Sequence, residues 1–360
     1  MHNSGLIQGI FLAGFVLLIL IFLLMDLGIF EKKDKIVTFK RALITTIVWI
    51  GLATMFGLVI RFAGEQMHGI EDRQALNEIV NQYHSKTLSH KINAMPYEEA
   101  LDEYRKQSTL EYFTGYLIEY SLSIDNIFVM ILIFSSFAIP QEYYKRVLMW
   151  GILGAMAMRF LFIFVAGVLI AKYEWILLVF GFFLLYSGVK MFIQRNKTDE
   201  IQAQNNPIVR WVSKIFPVTN DIIDHSFIRR INGKKVITSL LLCLIMIEFT
   251  DVLFAVDSIP AIFSVTKDPY IVFFSNIFAI LGLRSLFFLI TSIIRMFRFL
   301  KIGLSVLLLF IGIKMIIESE PINFDISIAV SLLTIVGILL LSILFSVILP
   351  EKKQDKQKQF

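Results

Sequence analysis

Long apolar runs separated by short charged segments dominate the pattern of this chain. Runs such as LIQGIFLAGFVLLILIFLL and ISIAVSLLTIVGILLLSILFSVIL are close to the roughly 20 residues that cross the hydrocarbon core of a bilayer. The runs and the charged breaks between them predict nine membrane helices. Their predicted bounds are 6–30, 42–61, 111–138, 147–170, 175–194, 236–263, 270–294, 302–317 and 325–349. The pattern therefore predicts an all-α polytopic membrane protein, with residues 1–360 forming one membrane domain.

The composition supports a membrane environment. Apolar residues make up 57% of the 360 residues, above the roughly 45–50% of a soluble domain. The first run has no basic segment before it and no small-residue cleavage site after it, so we interpret it as a retained helix and not as a signal peptide. The single cysteine, Cys243, excludes an internal disulfide framework. The net charge of +5 is attributed to the loops and not to a nucleic-acid-binding surface.

Positive charge is distributed unevenly between the two predicted faces of the membrane. Most of the 34 Lys and Arg residues lie in 31–41, 195–235, 295–301 and 350–360. Because cytoplasmic loops are enriched in these residues, the amino terminus is predicted outside and the carboxyl terminus in the cytoplasm. This orientation gives first two helices in 6–61, an extracytoplasmic loop 62–110 with a short surface helix at PYEEALDEYRK, a cytoplasmic loop 195–235, a last helix 325–349 and a cytoplasmic tail 350–360.

Two parts of the chain are similar to each other. EYSLSIDNIFV aligns with DVLFAVDSIPA, GAMAMRFLFI with AILGLRSLFFLI, and LLYSGVKMFI with LLFIGIKMII. The alignment places polar residues in pairs: Glu119 with Asp251, Asp125 with Asp257, Asn126 with Ser258, Arg159 with Arg284, and Lys190 with Lys314. We therefore predict two three-helix units, 111–194 and 236–317. Because each unit crosses the membrane three times, the second unit must be inverted, as in many secondary transporters.

Several acidic residues lie deep in the predicted spans, where a charge costs at least about 2.5 kcal/mol. They are Glu119, Asp125, Glu248, Asp251 and Asp257. Arg159 and Arg284 can balance part of this charge, and a purely structural salt-bridge network is the simplest alternative interpretation. The deep acids outnumber the deep arginines, so protons, a bound cation, or both in turn must neutralise the surplus.

Neutral oxygen donors complete the candidate metal site. Asn126 and Ser258 adjoin the paired aspartates, and Asp26 is weighed equally as a further member or as an acid hydrated at the membrane interface. Pro260 predicts a helix break whose freed carbonyls would add ligands. All five histidines lie in the amino-terminal tail or in loops, so a deep site has only oxygen donors. Such sites suit Mn²⁺, Mg²⁺ and Ca²⁺ and disfavour Zn²⁺ and Cu⁺; no organic cofactor is predicted.

Segments at these positions resemble a known family. YFTGYLIEYSLSIDNIFVM, IEFTDVLFAVDSIPAIF and SNIFAILGLRSLFFLI resemble the TerC/Alx family, and the resemblance weakens only in the two long loops. It implies a LysE-superfamily-like transporter in the bacterial cytoplasmic membrane. The family was named for tellurium resistance and Alx was first described as a redox modulator, but the resemblance implies Mn²⁺ export. The family's acids correspond to Glu119, Asp125, Asp251 and Asp257, with Asn126 beside them.

The predicted function is export of a hard divalent cation, Mn²⁺ before Ca²⁺ or Mg²⁺, coupled to protons through a midplane acidic site between inverted repeats. A pH-responsive proton or monovalent-cation transporter would use the same acids as relays. A membrane scaffold protein would need the charges only for assembly. No His, Cys or Ser–Lys constellation lies at span depth to supply a nucleophile and a base, so no enzymatic activity is predicted. The predicted partners are the lipid bilayer and the cation, without nucleic acid, and the oligomeric state is left open.

Overall fold

The computed structural model describes residues 2–26, 37–173, 175–194, 207–219, 226–231, 234–293, 299–319, 322, 324 and 326–348. Helices dominate these residues, and eight of the helices are long and apolar enough to cross a membrane. The predicted all-α polytopic membrane architecture is therefore confirmed. Residues 31–36 of the predicted basic connection 31–41 and the tail 350–360 lie outside the described residues.

The helices follow the apolar runs, with a few additional polar helices between them. In chain order they are α1 (His2–Asp26), α2 (Phe39–Ala63), a 3-10 turn (Gly64–Met67), α3 (Arg73–Tyr83), α4 (Lys86–Asn93), α5 (Tyr97–Ser136), α6 (Gln141–Lys172), α7 (Trp175–Gln194), α8 (Pro207–Ile215), α9 (Ser239–Phe263), α10 (Pro269–Ile293), α11 (Leu300–Glu318) and α12 (Ile328–Ile348). Three strands precede α9, namely β1 (Val218–Thr219), β2 (Ile228–Ile231) and β3 (Lys234–Thr238).

Eight of the nine predicted spans coincide with α1, α2, α5, α6, α7, α9, α10 and α12. The ninth predicted span, 302–317, coincides with α11, which is not one of these eight helices. It has 19 residues and carries two lysines and a glutamate. Lys314 of this helix is buried. Its Nζ donates to the carbonyl oxygen of Ser264 at 2.5 Å and to Oε2 of Glu318 at 2.8 Å. The lysine therefore neutralises the end of its own helix and satisfies a carbonyl group at the end of α9.

The predicted loop 62–110 is a compact helical unit. The 3-10 turn, α3 and α4 pack against the first turns of α5 around buried apolar side chains, which are Ile70, Leu76, Val80, Ile92, Ala100, Leu101 and Tyr104. Asp72 begins α3 as its N-cap, because its carboxylate accepts the amide of Ala75 at 2.8 Å. We call residues 64–93 the cap.

The sequence predicted a separate surface helix at PYEEALDEYRK. The structure does not contain this separate helix. The segment forms the first turns of α5, which begins after Pro96 and continues for 40 residues to Ser136. The predicted start of this span at residue 111 is therefore wrong. Hydropathy marks only the apolar part of a helix, whereas the polar start of α5 is held by contacts with the cap. Among these is the salt bridge between Arg105 and Glu65, with a nitrogen–oxygen distance of 2.6 Å.

The predicted connector 195–235 contains a helix and a small sheet, and its first part, 195–206, lies outside the described residues. α8 buries Val209 and Val212 against the hydrophobic cluster that also includes Leu240 of α9. The strands form a sheet in the order β1-β3-β2, with β1 parallel and β2 antiparallel to β3. Ile228 pairs with Ile237 in this register. The sequence did not predict the sheet, because strands of two to five residues leave almost no periodic pattern.

Pro260 does not break α9. The helix is continuous from Ser239 to Phe263, so the predicted break and its freed ligands are wrong. Proline removes one amide donor, and here that amide lies in the last turn of the helix. The carbonyl of Pro260 still accepts the amide of Ser264 at 3.0 Å. A proline this close to a helix end therefore removes a single hydrogen bond without ending the helix early.

The helices of the two predicted repeat units pack on one another. α5 and α6 each contact both α9 and α10, and α7 packs along α11. If α5, α6 and α7 exchange places with α9, α10 and α11, respectively, the same set of helix contacts results. α2 lies against α5 and α10, and α12 lies against α5 and α11. Phe15 brings α1 onto α10 through Phe274, with ring centroids 4.4 Å apart.

Small residues allow α7 and α11 to approach closely. A methyl group at Gly312 would lie 2.8 Å from the carbonyl oxygen of Gly181, and one at Gly188 would lie 3.0 Å from the carbonyl oxygen of Ser305. The two helices therefore run antiparallel. In the repeat alignment Gly181 corresponds to Ser305 and Gly188 to Gly312, so exchanging the units converts one contact into the other. An inverted repeat requires this exchange, and the repeat itself stays a prediction.

We expect the cap to lie outside the cell and α8 to lie in the cytoplasm. The native Cys243 is buried and can be replaced by serine to remove background labelling. A cysteine introduced at the exposed His90 should then react with an impermeant thiol reagent in intact cells, whereas one at the exposed Ser213 should react only after permeabilisation. The opposite labelling pattern would overturn the orientation and the inverted repeat together.

The glycine contact predicts a specific sensitivity of the α7–α11 interface. Gly312→Ala should lower the free energy of unfolding by about 1–3 kcal/mol, because the added methyl group overpacks the interface. Gly337→Ala in α12 is the matched control, since nothing lies within 4 Å of the added methyl group. The control should be neutral or stabilising by up to about 1 kcal/mol, as expected from helix propensity. Unfolding in detergent measures both, and equal stability of the two variants would contradict the packing argument.

Candidate ion-binding site

Glu119 is fully buried in the middle of α5. Ser123 and Asn126 lie one and two turns further along the same face of the helix, and both are buried as well. The hydroxyl of Ser123 donates to Oε1 of Glu119 at 3.4 Å. This polar stripe faces the other helices because α5 is surrounded by α2, α9, α10 and α12, which keeps its polar side chains away from lipid.

The guanidinium of Arg159 on α6 contacts polar residues from three other helices. Its Nη1 donates to Oε1 of Glu119 on α5 and, at 2.9 Å, to Oδ1 of Asn276 on α10. Its Nη2 forms an ion pair with Oδ1 of Asp251 on α9 at 3.5 Å. Nδ2 of Asn276 in turn donates to Oε2 of Glu119 at 3.2 Å. We call these four residues the Arg159 site, and all of them are buried.

Negative charge exceeds positive charge in the Arg159 site. When its groups are ionised, the two carboxylates and one guanidinium leave one net negative charge. Oδ2 of Asp251 and Nε of Arg159 have no hydrogen-bond partner among the described residues. A buried polar atom left without a partner costs about 1–3 kcal/mol. Chemically, the arrangement favours a proton or a cation beside Asp251.

The paired motif aspartates, Asp125 and Asp257, are not among the four residues of the Arg159 site. Asp257 is half-buried on α9, where its Oδ1 accepts a hydrogen bond from the hydroxyl of Ser187 on α7 at 2.8 Å. Asp125 is half-buried on α5. Their neighbours in the sequence, Asn126 and Ser258, are buried, and the hydroxyl oxygen of Ser258 has no partner among the described residues. The aspartates are thus less enclosed than Glu119 and Asp251.

The remaining predicted members are spread over three helices. Glu248 is half-buried on α9, and its carboxylate lies against Gly154 of α6, where a methyl group would collide with it. Arg284 is half-buried on α10 and stays a predicted charge-balancing residue. Asp26 ends α1, and its side chain lies outside the described residues. No three His, Cys, Asp or Glu side chains of the described part of the chain are grouped so that they could hold a metal ion.

Sequence reasoning missed Asn276, which completes the Arg159 site. The search for buried charge passed over this neutral side chain, although an amide within an apolar span, in FFSNIFAILG, is itself a sign of function or pairing. It also missed Ser187, because serine is common in membrane helices and carries little signal. A second buried polar cluster, between the cap and the α9–α10 connection, was missed because its members are far apart in the sequence.

Comparison with known proteins places the chain among bacterial membrane proteins. The family model described as "Integral membrane protein TerC family" matches residues 104–354. An "Uncharacterized membrane protein STKORF319" of Myxococcus xanthus is 40% identical over 337 residues, which are 93% of this chain and 91% of that protein. No solved structure matches.

Two further relatives carry a functional description. The "Putative membrane-bound redox modulator Alx" of Escherichia coli strain K12 is 38% identical over 348 residues, which are 96% of each chain. The protein of the same description from Salmonella typhi is 47% identical over 247 residues, covering 69% of this chain and 75% of that protein. The resemblance predicted from the buried acid and arginine motifs is therefore confirmed: the chain belongs to the TerC family of integral membrane proteins.

Proposed function

We propose that this protein exports a hard divalent cation, with Mn²⁺ as the cargo, across the bacterial cytoplasmic membrane in exchange for protons. The observation that carries the proposal is the Arg159 site, in which two buried carboxylates share one guanidinium. The proposal includes the inverted repeat, with the amino terminus outside and the carboxyl terminus in the cytoplasm.

The ligand chemistry of the site supports a hard cation. Glu119, Asp251 and Asn276 offer carboxylate and amide oxygens, which Mn²⁺, Mg²⁺ and Ca²⁺ accept. One carboxylate comes from each predicted repeat unit, as expected for a transporter that binds its cargo between repeats. Oδ2 of Asp251 has no hydrogen-bond partner among the described residues, so this buried oxygen can bind a cation without first giving up a hydrogen bond.

Arg159 supplies the alternation that an exchanger needs. In the cation-free state its guanidinium neutralises one of the two carboxylates, and a proton neutralises the other. A divalent cation bound between Glu119 and Asp251 would repel the guanidinium and replace both compensating charges. Metal binding and proton binding are then mutually exclusive, which is the condition for coupling export to proton entry.

The acids outside the Arg159 site extend the pathway. Asp257, Glu248 and Asp125 are only half-buried, so they are less costly to charge than Glu119. Asp257 lies between α9 and α7, and Glu248 lies between α9 and α6. We assign these residues to the passage of the cation toward and away from the buried pair.

A proton or monovalent-cation transporter is the second candidate function, because one net negative charge is neutralised by a single monovalent ion. The redox description of the Alx relatives is harder to apply, since this chain has one cysteine and cannot form an internal disulfide. A scaffold role is the third alternative. Flux of Mn²⁺, Mg²⁺, Ca²⁺ and Na⁺ into vesicles containing the purified protein, with and without a proton gradient, separates these functions.

Glu119→Gln and Asp251→Asn should each abolish Mn²⁺ export. Each change keeps the side-chain size and removes the charge that attracts the cation. Mn²⁺ affinity should fall by at least the roughly 10–100-fold that loss of a supporting residue costs a metal site. Glu142→Gln, at the exposed start of α6, is the control and should export normally. Calorimetric Mn²⁺ binding and vesicle flux measure the effect, and normal export by either buried variant would refute the proposed site.

Asp125→Asn and Asp257→Asn should also abolish export while protein levels in the membrane stay normal. At Asp257 the charge and the hydrogen bond can be tested separately. Ser187→Ala removes the 2.8 Å hydrogen bond but keeps the carboxylate, so it should cost about 0.5–1.5 kcal/mol of stability and leave export active. If Ser187→Ala stops export as completely as Asp257→Asn, positioning of Asp257 and not its charge is the requirement. Normal export by Asp125→Asn or Asp257→Asn would remove that acid from the pathway.

A further inference from the structure

Two buried histidine–carboxylate pairs join the cap to the membrane helices. Nε2 of His68 lies 2.7 Å from Oδ2 of Asp268, in the connection between α9 and α10. Nδ1 of His84 lies 3.0 Å from Oε1 of Glu111 on α5. All four side chains are nearly inaccessible, with exposures of 2–3%. Both histidines lie in the cap. Of the two carboxylates, Glu111 lies on α5 and Asp268 lies in the connection between α9 and α10.

Thr266 links the two pairs into one cluster. Its hydroxyl donates to Oε2 of Glu111 at 2.6 Å and accepts the amide of Asp268 at 3.1 Å. The amide of Tyr270 donates to Oδ1 of Asp268 at 2.9 Å. A connected polar network therefore joins the cap to the membrane helices, in addition to the apolar cluster and the Arg105–Glu65 salt bridge.

Aromatic rings contact both histidines of the cluster. Tyr83 of α3 stacks on His68 with ring centroids 5.3 Å apart, and Tyr270 of α10 meets the same ring edge-on at 5.1 Å. Tyr104 of α5 meets His84 at 5.9 Å. Burial and the nearby Asp268 raise the pKa of Tyr83 to about 12, so this phenol is neutral at physiological pH. The next acid, Glu65, is paired with Arg105.

The His84–Glu111 pair loses its stabilising charge as pH rises, whereas the His68–Asp268 pair loses it as pH falls. Burial alone would lower the pKa of His84, but the charge of Glu111, its hydrogen bond and the charge of Asp268 raise the pKa above the usual 6.5. Burial would raise the pKa of Asp268, but the charge and hydrogen bond of His68 hold it below the usual 3.8. The stabilisation from His84 is thus complete below pH 6.5 and lost as pH rises through the raised pKa. The stabilisation from Asp268 is lost only in strong acid.

The cluster and the Arg159 site share the same helices. Glu111, Gly115 and Glu119 are spaced four residues apart and lie on one face of α5. Gly115 packs against Ser275, where a methyl group would lie 2.9 Å from the hydroxyl oxygen, and Ser275 adjoins Asn276 of the Arg159 site. About 12 Å of helix separates the two carboxylates of α5, at 1.5 Å per residue. The cluster therefore lies directly above the buried pair on the predicted outer side.

We propose that this cluster is a proton-binding gate: with His84 protonated the cap closes the outer end of the pathway, and loss of that proton releases the cap. When His84 loses its proton, Glu111 becomes a buried carboxylate without a compensating charge. Moving the cap away from α5 admits water to Glu111 and removes this cost. The ligand of the site is the proton of the outer medium. As a gate for export, the inference rests on the proposed function; as a pH-dependent movement, it can be tested independently.

Spin labels can measure the movement in the full-length protein. In a Cys243→Ser background, labels at Thr87 of α4 and Tyr173 after α6, both exposed, report the distance between the cap and the membrane helices. We expect a single short distance at about pH 6 and a second, longer distance whose population relative to the short one grows by up to about tenfold per pH unit as one proton is lost. An unchanged distance distribution from about pH 6 to about pH 9 would refute the gate.

Charge variants separate the gate from a general loss of packing. His84→Gln removes the charge and should show the longer distance at every pH, without a pH step. The double variant His84→Gln with Glu111→Gln removes both charges and should restore the short distance, again without a step, because a neutral pair needs no compensation. His90→Gln, an exposed histidine of α4, should keep the wild-type step. A wild-type step in His84→Gln would overturn the proposal.

Vesicle flux distinguishes the gate from the proposed export. With the pH difference across the membrane held constant at each outer pH, Mn²⁺ flux should rise with the population of the longer distance in the wild type and lose its pH step in the double variant. A pH step in distance without any Mn²⁺ flux would retain the gate and reject the export. Mn²⁺ flux with an unchanged distance between the cap and the membrane helices would retain the export and reject the gate.

Discussion

The guanidinium of Arg159 is the interaction on which the buried half of this protein depends. From α6 it reaches Glu119 of α5, Asp251 of α9 and Asn276 of α10. Without this cation, two carboxylates would lie among apolar helices, each at a cost of at least about 2.5 kcal/mol. The four helices can therefore come together only with their polar positions in register. The same contacts leave one carboxylate incompletely compensated, and the proposed cation binding rests on this imbalance.

The packing around this polar centre is of a different kind. Glycines allow α7 and α11 to meet backbone to backbone, and aromatic rings from α1, α2 and α10 pack together, as in the contact of Phe56 with Phe274 at 5.4 Å. Such contacts tolerate little displacement because interiors are close-packed. The polar centre is held by ion pairs and hydrogen bonds, whereas its surroundings are held by close packing. The proposed export would require the polar groups to change partners within this packed frame.

The sequence predicted the membrane helices and the deep charges because hydropathy and charge are properties of single residues. The sites of Asn276, His68 and His84 were not predicted, because these residues act through contacts between distant segments. An amide or a loop histidine also has many ordinary uses. The polar half of α5 escaped because its stability comes from the cap and not from an apolar run. Pro260 misled because the effect of a proline depends on its distance from the helix end, which the sequence does not mark. The family resemblance, by contrast, was carried by short motifs that needed no structure.

The length of α5 has a mechanical consequence. Forty residues at about 1.5 Å each make a rod of about 60 Å, roughly twice the thickness of a bilayer's hydrocarbon core. Its polar end carries the cap, its midpoint carries Glu119, and no proline interrupts it between those points. A continuous helix of this length can tilt in the bilayer as one body. A displacement of the polar end, which α5 shares with the cap, would thereby pass along one continuous helix to the carboxylate that shares Arg159 with Asp251.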